Sequence, residues 1–163
     1  MSTPDGPGGG TTDERPLEEL LPYLMNRLVS RLNQNLAARL RRQSLTFQHW
    51  RVLLVLATRG PRNLSELAED TLIPQSTLSR LVMRMEEDGF VRRETDEADS
   101  RVVNVLLMPH GRLAFDQAYP LGLDEYRKAV AFLSADEERL FAVMLSRMVQ
   151  GVCGSVTPVD RRK

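Results

Sequence analysis

Residues 64–111 carry the pattern that decides the fold: LSELAEDTLIPQSTLSRLVMRMEEDGFVRRETDEADSRVVNVLLMPHG. The segment opens with two short helical patterns that are separated by a break at 71–73. The second helix, predicted at 74–87, is followed by two segments rich in β-branched residues, 90–94 and 102–107. This order predicts a helix-turn-helix followed by a two-stranded hairpin, which we call the wing.

Residues at the ends of these helices support the boundaries. Asn63 and Glu66 have the spacing of a capping box, with asparagine in the usual serine or threonine place. Pro74 suits the first residue of the second helix, because that position needs no backbone N–H. Gly89 suits the position just past its end.

The second helix has an apolar stripe and an opposite polar face. The stripe consists of Leu78, Leu81, Val82 and Met85. At about 100° per residue, the polar face then carries Gln75, Ser76, Thr77, Ser79, Arg80 and Arg84. Hydroxyl and guanidinium groups contact phosphate oxygens and base edges, so this face is a candidate DNA-binding surface. An ordinary solvated face is the alternative.

The wing loop combines acidic residues with one arginine. Asp96, Glu97 and Asp99 would face phosphates if the wing approached DNA, which is unfavourable unless they are paired. Asp99 and Arg101 project on the same side of an extended segment, so the acid is placed to direct the guanidinium. An arginine held in this way suits a narrow minor groove. A solvated loop with a mobile arginine is the alternative.

Helical patterns flank this core on both sides. A leucine stripe predicts a helix at 16–43, and Thr46 is a candidate N-cap for the next helix, which ends at Gly60-Pro61. Two further helices are predicted, the first from Pro109 to Phe132 and the second from Ser134, with a polar, frayed tail from 151. The stripes at both chain ends need an apolar partner, either a second copy or an intrachain helix pair.

Composition excludes several classes of protein. The chain has 163 residues, one cysteine and equal numbers of basic and acidic residues. A single cysteine excludes an internal disulfide framework and favours a cytoplasmic location. No apolar run is long enough for a membrane span, and no signal peptide is visible. Residues 46–108 contain eight arginines and ten acidic residues, so DNA binding would depend on where the arginines point.

The segment resembles the MarR-type winged helix-turn-helix transcriptional regulators. The resemblance rests on the order and spacing of several motifs: Leu67-Ala68, Ser76, Ser79 to Val82, Gly89 to Val91, Asp96 with Asp99 and Arg101, and Leu106 to Gly111. It extends upstream to Leu45-Thr46, Trp50 and Leu53. One departure is Met108, where the family often has a threonine that caps the following helix.

The resemblance implies a homodimer that presents two winged domains to a pseudo-palindromic operator in double-stranded DNA. It also implies a small aromatic effector that binds between the dimer helices and the winged domain. Tyr23, Phe47, His49 and Trp50 are the candidate effector-binding residues, with a simple core position as the alternative for Trp50.

Patterns for other chemistry are missing from the sequence. His49 and His110 are far apart and have no accompanying cysteine or histidine cluster, so no metal site is predicted. Cys153 is placed past the last helix, and no basic neighbour lies closer than Arg147 to lower its thiol pKa. No phosphate-binding loop or catalytic triad order is present, so we predict neither a cofactor nor an enzyme.

The sequence therefore predicts a mainly α-helical winged helix-turn-helix protein with a small β-hairpin wing. Its predicted parts are a flexible tail at 1–14, an N-terminal dimerisation helix at 15–45, the winged domain at 46–108, C-terminal dimerisation helices at 109–152 and a tail at 153–163. The predicted function is that of a dimeric, sequence-specific transcriptional repressor released by a small effector. The alternative is a winged-helix protein-interaction module without specific DNA binding.

Overall fold

The computed structural model describes residues 16–96 and 101–154. This part contains six α-helices: α1 (Leu21–Leu40), α2 (Phe47–Arg59), α3 (Leu64–Thr71), α4 (Gln75–Glu87), α5 (Pro109–Val130) and α6 (Ala135–Cys153). Its three strands are β1 (Arg62–Asn63), β2 (Val91–Thr95) and β3 (Val103–Leu107). Short 3-10 helices at Leu17–Glu19 and Arg41–Gln43 flank α1, so the single helix predicted at 16–43 consists of three consecutive helical segments.

The chain divides into two compact units, 1–31 and 32–163, and the division falls within α1. In the described part of the first unit, six large aliphatic side chains are solvent-exposed, whereas Tyr23 and Met25 are half-buried. The six exposed side chains are Leu17, Leu20, Leu21, Leu24, Leu28 and Val29. The described residues of the first unit therefore offer an apolar surface that they do not cover themselves.

The core of the second unit lies where α2, α3, α4, β2, β3 and α5 meet. Leu53, Leu67 and Val82 are fully buried there. Trp50 stacks on Phe115 of α5, with ring centroids 5.9 Å apart and planes 8° apart. One face of α4 packs against this core, and the opposite face of α4 is exposed to solvent.

Local capping explains where three helices begin. Thr46, Asn63 and Ser134 each form a capping box at the start of α2, α3 and α6. The boxes at Asn63 and Ser134 were predicted, whereas Thr46 was predicted only as an N-cap. Each side chain accepts a backbone N–H that would otherwise lack a partner, and such a cap typically contributes about 1 kcal/mol. At α5, Met108 is the N-cap and makes no side-chain capping bond, so the departure from the family pattern has a structural consequence.

The wing is part of a three-stranded antiparallel sheet with the order β1-β3-β2. The predicted hairpin is present, with Val91 opposite Leu107 and Thr95 opposite Val103. The third strand, β1, was not predicted because two residues between Gly60-Pro61 and a helix cap give no period-2 pattern. It pairs with the middle of β3 through Arg62 and Asn63.

Close backbone contact anchors α5 beside the wing. A Cβ placed on Gly111 would lie 2.1 Å from the carbonyl oxygen of Phe90, so only glycine fits this first turn of α5. Met108 N–H also donates to the Phe90 carbonyl, at 3.0 Å. These contacts join α5 to the start of β2, which is the base of the wing.

Three predicted boundaries are corrected. Pro74 is the N-cap of α4 rather than its first residue, since helical geometry begins at Gln75. The helix from Pro109 ends at Val130 rather than Phe132. The last helix continues into the predicted frayed tail as far as Cys153, so this exposed cysteine lies within α6 rather than past it.

The predicted tail at 1–14 lies outside the described residues. No helix within residues 16–96 and 101–154 is long and apolar enough to cross a lipid bilayer.

Candidate nucleic-acid interface

The turn between α3 and α4 sets the direction of α4. Leu72 ends α3 in the left-handed region, with φ of 52°, and its N–H donates to the Glu69 carbonyl at 3.3 Å. Ile73 is then buried in the core. The Pro74 carbonyl accepts hydrogen bonds from the N–H groups of Thr77 and Leu78, both at 2.9 Å. Hydrogen bonds before and after Ile73 thus fix the turn, and α4 begins at Gln75.

The structure orients α4 as the sequence predicts. The four residues of the apolar stripe are buried: Leu78, Leu81, Val82 and Met85. Of the six predicted contact residues, Gln75, Ser76, Arg80 and Arg84 are exposed, and Thr77 and Ser79 are half-buried. Two guanidinium groups and short polar side chains therefore share the solvent face of one helix.

The arginines of α4 have no acidic partner in the part of the chain that the structure describes. Arg80 Nε lies 3.4 Å from the carbonyl oxygen of Ser76, one turn earlier. This contact leaves most of the guanidinium donors of Arg80 available. Since a guanidinium has five N–H donors in a planar fork, both arginines are equipped to bind phosphate or guanine.

Other arginines near α4 are engaged by acids. Glu86 accepts from both the backbone N–H and Nε of Arg93, at 2.7 and 2.6 Å, and these bonds lower the pKa of the Glu86 carboxyl. Asp70 pairs with Arg59 and with Nε of Arg62, the latter at 3.2 Å. These ion pairs therefore engage three arginines and two acids of this segment within the fold.

The wing loop is closed by the Asp96 N–H, which donates to the Val102 carbonyl at 2.9 Å. Asp96 Oδ2 also accepts from the Asn104 side-chain amide at 3.1 Å, so one of the three loop acids is bound within the wing. Arg101 is exposed at the end of the loop. Asp99 and Glu97 lie outside the described residues, and the Asp99–Arg101 pair stays a prediction.

Two of the candidate effector residues have clear structural roles. Trp50 is buried, and a Cβ on Gly122 would lie 2.9 Å from its ring, so its packing against α5 favours the core alternative. The His49 Nδ1 atom accepts the Thr46 N–H at 3.4 Å and completes the cap of α2. Burial lowers the pKa of His49, which is the direction expected for a neutral ring that accepts this bond.

The remaining two effector candidates lie in different units. Phe47 is half-buried and packs against the core of the second unit. Tyr23 belongs to the first unit, where the guanidinium of Arg27 lies 5.7 Å from its ring centroid. An effector role for these two residues stays a prediction.

One residue on the solvent face of α4 was not assigned a role from the sequence. Met83 is 43% exposed. The sequence places Met83 three residues after Arg80, on the same side of the helix. An apolar side chain does not by itself indicate a binding surface, so this position alone did not identify Met83.

Within residues 16–96 and 101–154, no cluster of three His, Cys, Asp or Glu residues is arranged to hold a metal ion.

Comparison with known proteins identifies relatives of this fold and sequence. A sequence model of the MarR family matches residues 43–102. The chain is 32% identical over 100 residues to the HTH-type transcriptional repressor IacR of Pseudomonas putida. This alignment covers 61% of this chain and 60% of IacR. It is 31% identical over 105 residues to the transcriptional regulator HosA of Escherichia coli, covering 64% of this chain and 78% of HosA.

A solved structure matches over more of the chain. The crystal structure of a MarR family transcriptional regulator from Silicibacter pomeroyi superposes with a TM-score of 0.79 and 30% identity, covering 88% of this chain and 96% of that one. The similarity therefore includes helices outside the winged domain. All three of these proteins are named as transcriptional regulators.

Proposed function

The chain belongs to the MarR family of transcriptional regulators, and we propose that it is a homodimeric repressor that binds a pseudo-palindromic operator in double-stranded DNA. The observation that carries this proposal is the solvent face of α4. Arg80 and Arg84 lie there beside short polar side chains, without acidic partners among the described residues. IacR is named as a transcriptional repressor, and repression by this chain is proposed by analogy.

In this proposal α4 enters the major groove. The hydroxyl groups near its N-terminus contact phosphates, and the backbone N–H groups of the first turn favour the same anions. Arg80 and Arg84, one turn apart, reach base edges or further phosphates. Arg101 extends from the wing toward the adjacent minor groove, where a narrow groove concentrates negative potential.

The charge distribution supports binding despite the zero net charge of the chain. Glu86 is bound to Arg93 and so does not present a free carboxylate to DNA. Glu87 and Asp88 lie at the far end of α4, about 10 Å along the helix axis from Arg80. Salt screens charges over a comparable distance, so Glu87 and Asp88 have little effect on the field at Arg80. Arg84 lies in the last turn of α4, closer to these two acids.

A homodimer is proposed because two apolar surfaces lack a cover within their own units. In α6 no residue is fully buried, and Leu140, Phe141, Met144 and Met148 are 43–59% exposed. The first unit exposes its leucines in the same way. A contiguous apolar surface of this kind is unusual on a monomer. A two-fold dimer would place its recognition helices about 34–36 Å apart, one turn of DNA.

The proposal also includes a small aromatic effector that releases the repressor from its operator. This part of the proposal rests on the family relationship of the chain. A ligand acts only if it binds better to the form that does not fit the operator. A coupling of about 1–3 kcal/mol would then lower DNA affinity roughly 5–150-fold.

The test is equilibrium binding of the full-length chain to duplexes selected from a random pool, across a salt series. We expect the selected duplex to bind at least about 10³-fold more tightly than random DNA, with log K falling linearly as log salt rises. Arg80→Ala should remove most of this preference, whereas Arg139→Ala, an exposed arginine of α6, should not. Binding without sequence preference or salt dependence would contradict the proposal and favour a protein-interaction module.

A further inference from the structure

We propose that Met83 recognises thymine in the operator by packing its side chain against the C5-methyl group of the base. This inference rests on the proposed function, because it assigns a specificity-determining residue to the α4 surface. The motivating observation is an apolar side chain on the face of α4 that lies away from the core.

Met83 differs from the other apolar residues of α4 in the exposed fraction of its side chain. Met83 is 43% exposed, whereas no other apolar residue of α4 is more than 8% exposed. A side chain in the stripe is held by the core, and its identity is explained by packing. The identity of Met83 has no such explanation.

The position of Met83 places it among the candidate DNA contacts. It lies seven residues after Ser76, which is two helical turns, and three residues after Arg80. All three side chains therefore lie on the same side of the helix, and Ser76 and Arg80 are also exposed. If α4 enters the major groove by this face, Met83 enters with it.

The chemistry of the groove restricts what Met83 can recognise. The thioether chain has no strong hydrogen-bond donor or acceptor, so it cannot read the polar edges of the bases. The thymine methyl group is the apolar feature of the major groove, and apolar side chains contact it. Methionine is flexible and polarisable, which allows it to fit such a surface. Burial of one methyl group corresponds to about a fourfold change in affinity.

Isolated apolar residues are common on protein surfaces, so the test must remove the methyl group and not only the methionine. Thymines of the selected operator are replaced one at a time by deoxyuridine, which lacks the C5-methyl and keeps the pairing edge. Affinities are measured for the wild-type chain, Met83→Ala and Met83→Leu. Leu72→Ala is the matched control, since Leu72 is an apolar residue of the helix-turn-helix that is 79% exposed but precedes α4.

For the wild-type chain, we expect one thymine in each half-site whose replacement weakens binding about three- to tenfold. Met83→Ala should bind the thymine and deoxyuridine duplexes equally at that position, while Met83→Leu and Leu72→Ala should keep the discrimination. Two results would overturn the assignment of Met83 and leave the proposed function standing. Met83→Ala could retain the full discrimination between thymine and deoxyuridine, or removal of the methyl group could leave binding by the wild-type chain unchanged. Failure of the wild-type chain to select any duplex would overturn the proposed function together with it.

Discussion

Five of the eight arginines of the winged domain fall into two groups according to their partners. Arg59, Arg62 and Arg93 are paired with acids of the same domain, where they hold elements together. Arg80 and Arg84 make no such pair among the described residues and face solvent. A guanidinium already bound to a carboxylate has fewer donors for DNA, so among these five arginines we expect affinity to depend on Arg80 and Arg84.

At the wing, we expect Arg101→Ala to weaken operator binding by about 1–3 kcal/mol and to leave the fold intact. Arg101 is exposed at the end of the loop, so its removal leaves no cavity in the core. Fluorescence anisotropy measures the affinity, and circular dichroism checks the fold. Arg112→Ala, another exposed arginine, serves as the control. An unchanged affinity for Arg101→Ala would reject the wing as a contact.

Among the elements, α4 and β2 are joined by Glu86 and Arg93. The carboxylate accepts both a backbone and a side-chain N–H of the same residue, so it sets both the position and the direction of the strand that begins the wing. The recognition helix and the wing must contact neighbouring grooves in the proposed complex. A link between them therefore matters for binding as well as for stability.

We expect Glu86→Gln to reduce the free energy of unfolding by about 1 kcal/mol at pH 7. The folded protein lowers the pKa of Glu86 from its ordinary value of 4.5, chiefly through the Arg93 bonds. The stabilisation is therefore present above pH 4.5 and is lost as the pH falls through the lowered folded value.

Urea unfolding measured between pH 7 and pH 3 tests this prediction. The difference between wild type and Glu86→Gln should shrink as the solution becomes acidic. Glu87→Gln is the matched control, because Glu87 is the exposed neighbour on the same helix. A constant difference across this pH range would show that the Glu86 charge does not provide the stabilisation.

For the whole molecule, the exposed apolar surfaces are the property that demands a partner. The α6 face presents aliphatic side chains and Phe141 to water, and the described part of the first unit presents aliphatic side chains. A dimer that covers them would also fix the distance between two copies of α4. Dimerisation and operator recognition are therefore expected to depend on each other.

We expect Met144→Glu to convert the dimer to a monomer and to lower operator affinity, because it places a charge in an apolar interface. Light scattering coupled to size exclusion measures the mass. Ser146→Glu is the control, since Ser146 lies about 200° around α6 from Met144. A monomeric wild type, or a dimeric Met144→Glu, would contradict the proposed interface.

Sequence patterns were sufficient wherever the signal was local. The capping boxes at Asn63 and Ser134 were predicted from residues three positions apart, and Thr46 was predicted as an N-cap; all three caps are present. The buried and exposed faces of α4 were also predicted, because a helix repeats every 3.6 residues whatever it packs against. The resemblance to the MarR family rested on the order and spacing of motifs between Leu67 and Gly111, and the comparisons confirm it.

Interactions between distant parts of the chain required the folded structure. The two-residue strand β1 exists because β3, some forty residues later, offers it hydrogen-bond partners. Trp50 was a candidate for either a ligand pocket or the core, and its stacking on Phe115 of α5 favours the core. Periodicity and caps are properties of neighbouring residues, so the chain alone reveals the helices and their faces. Which arginines remain available to DNA depends on acids brought together by folding, and no local pattern encodes that arrangement.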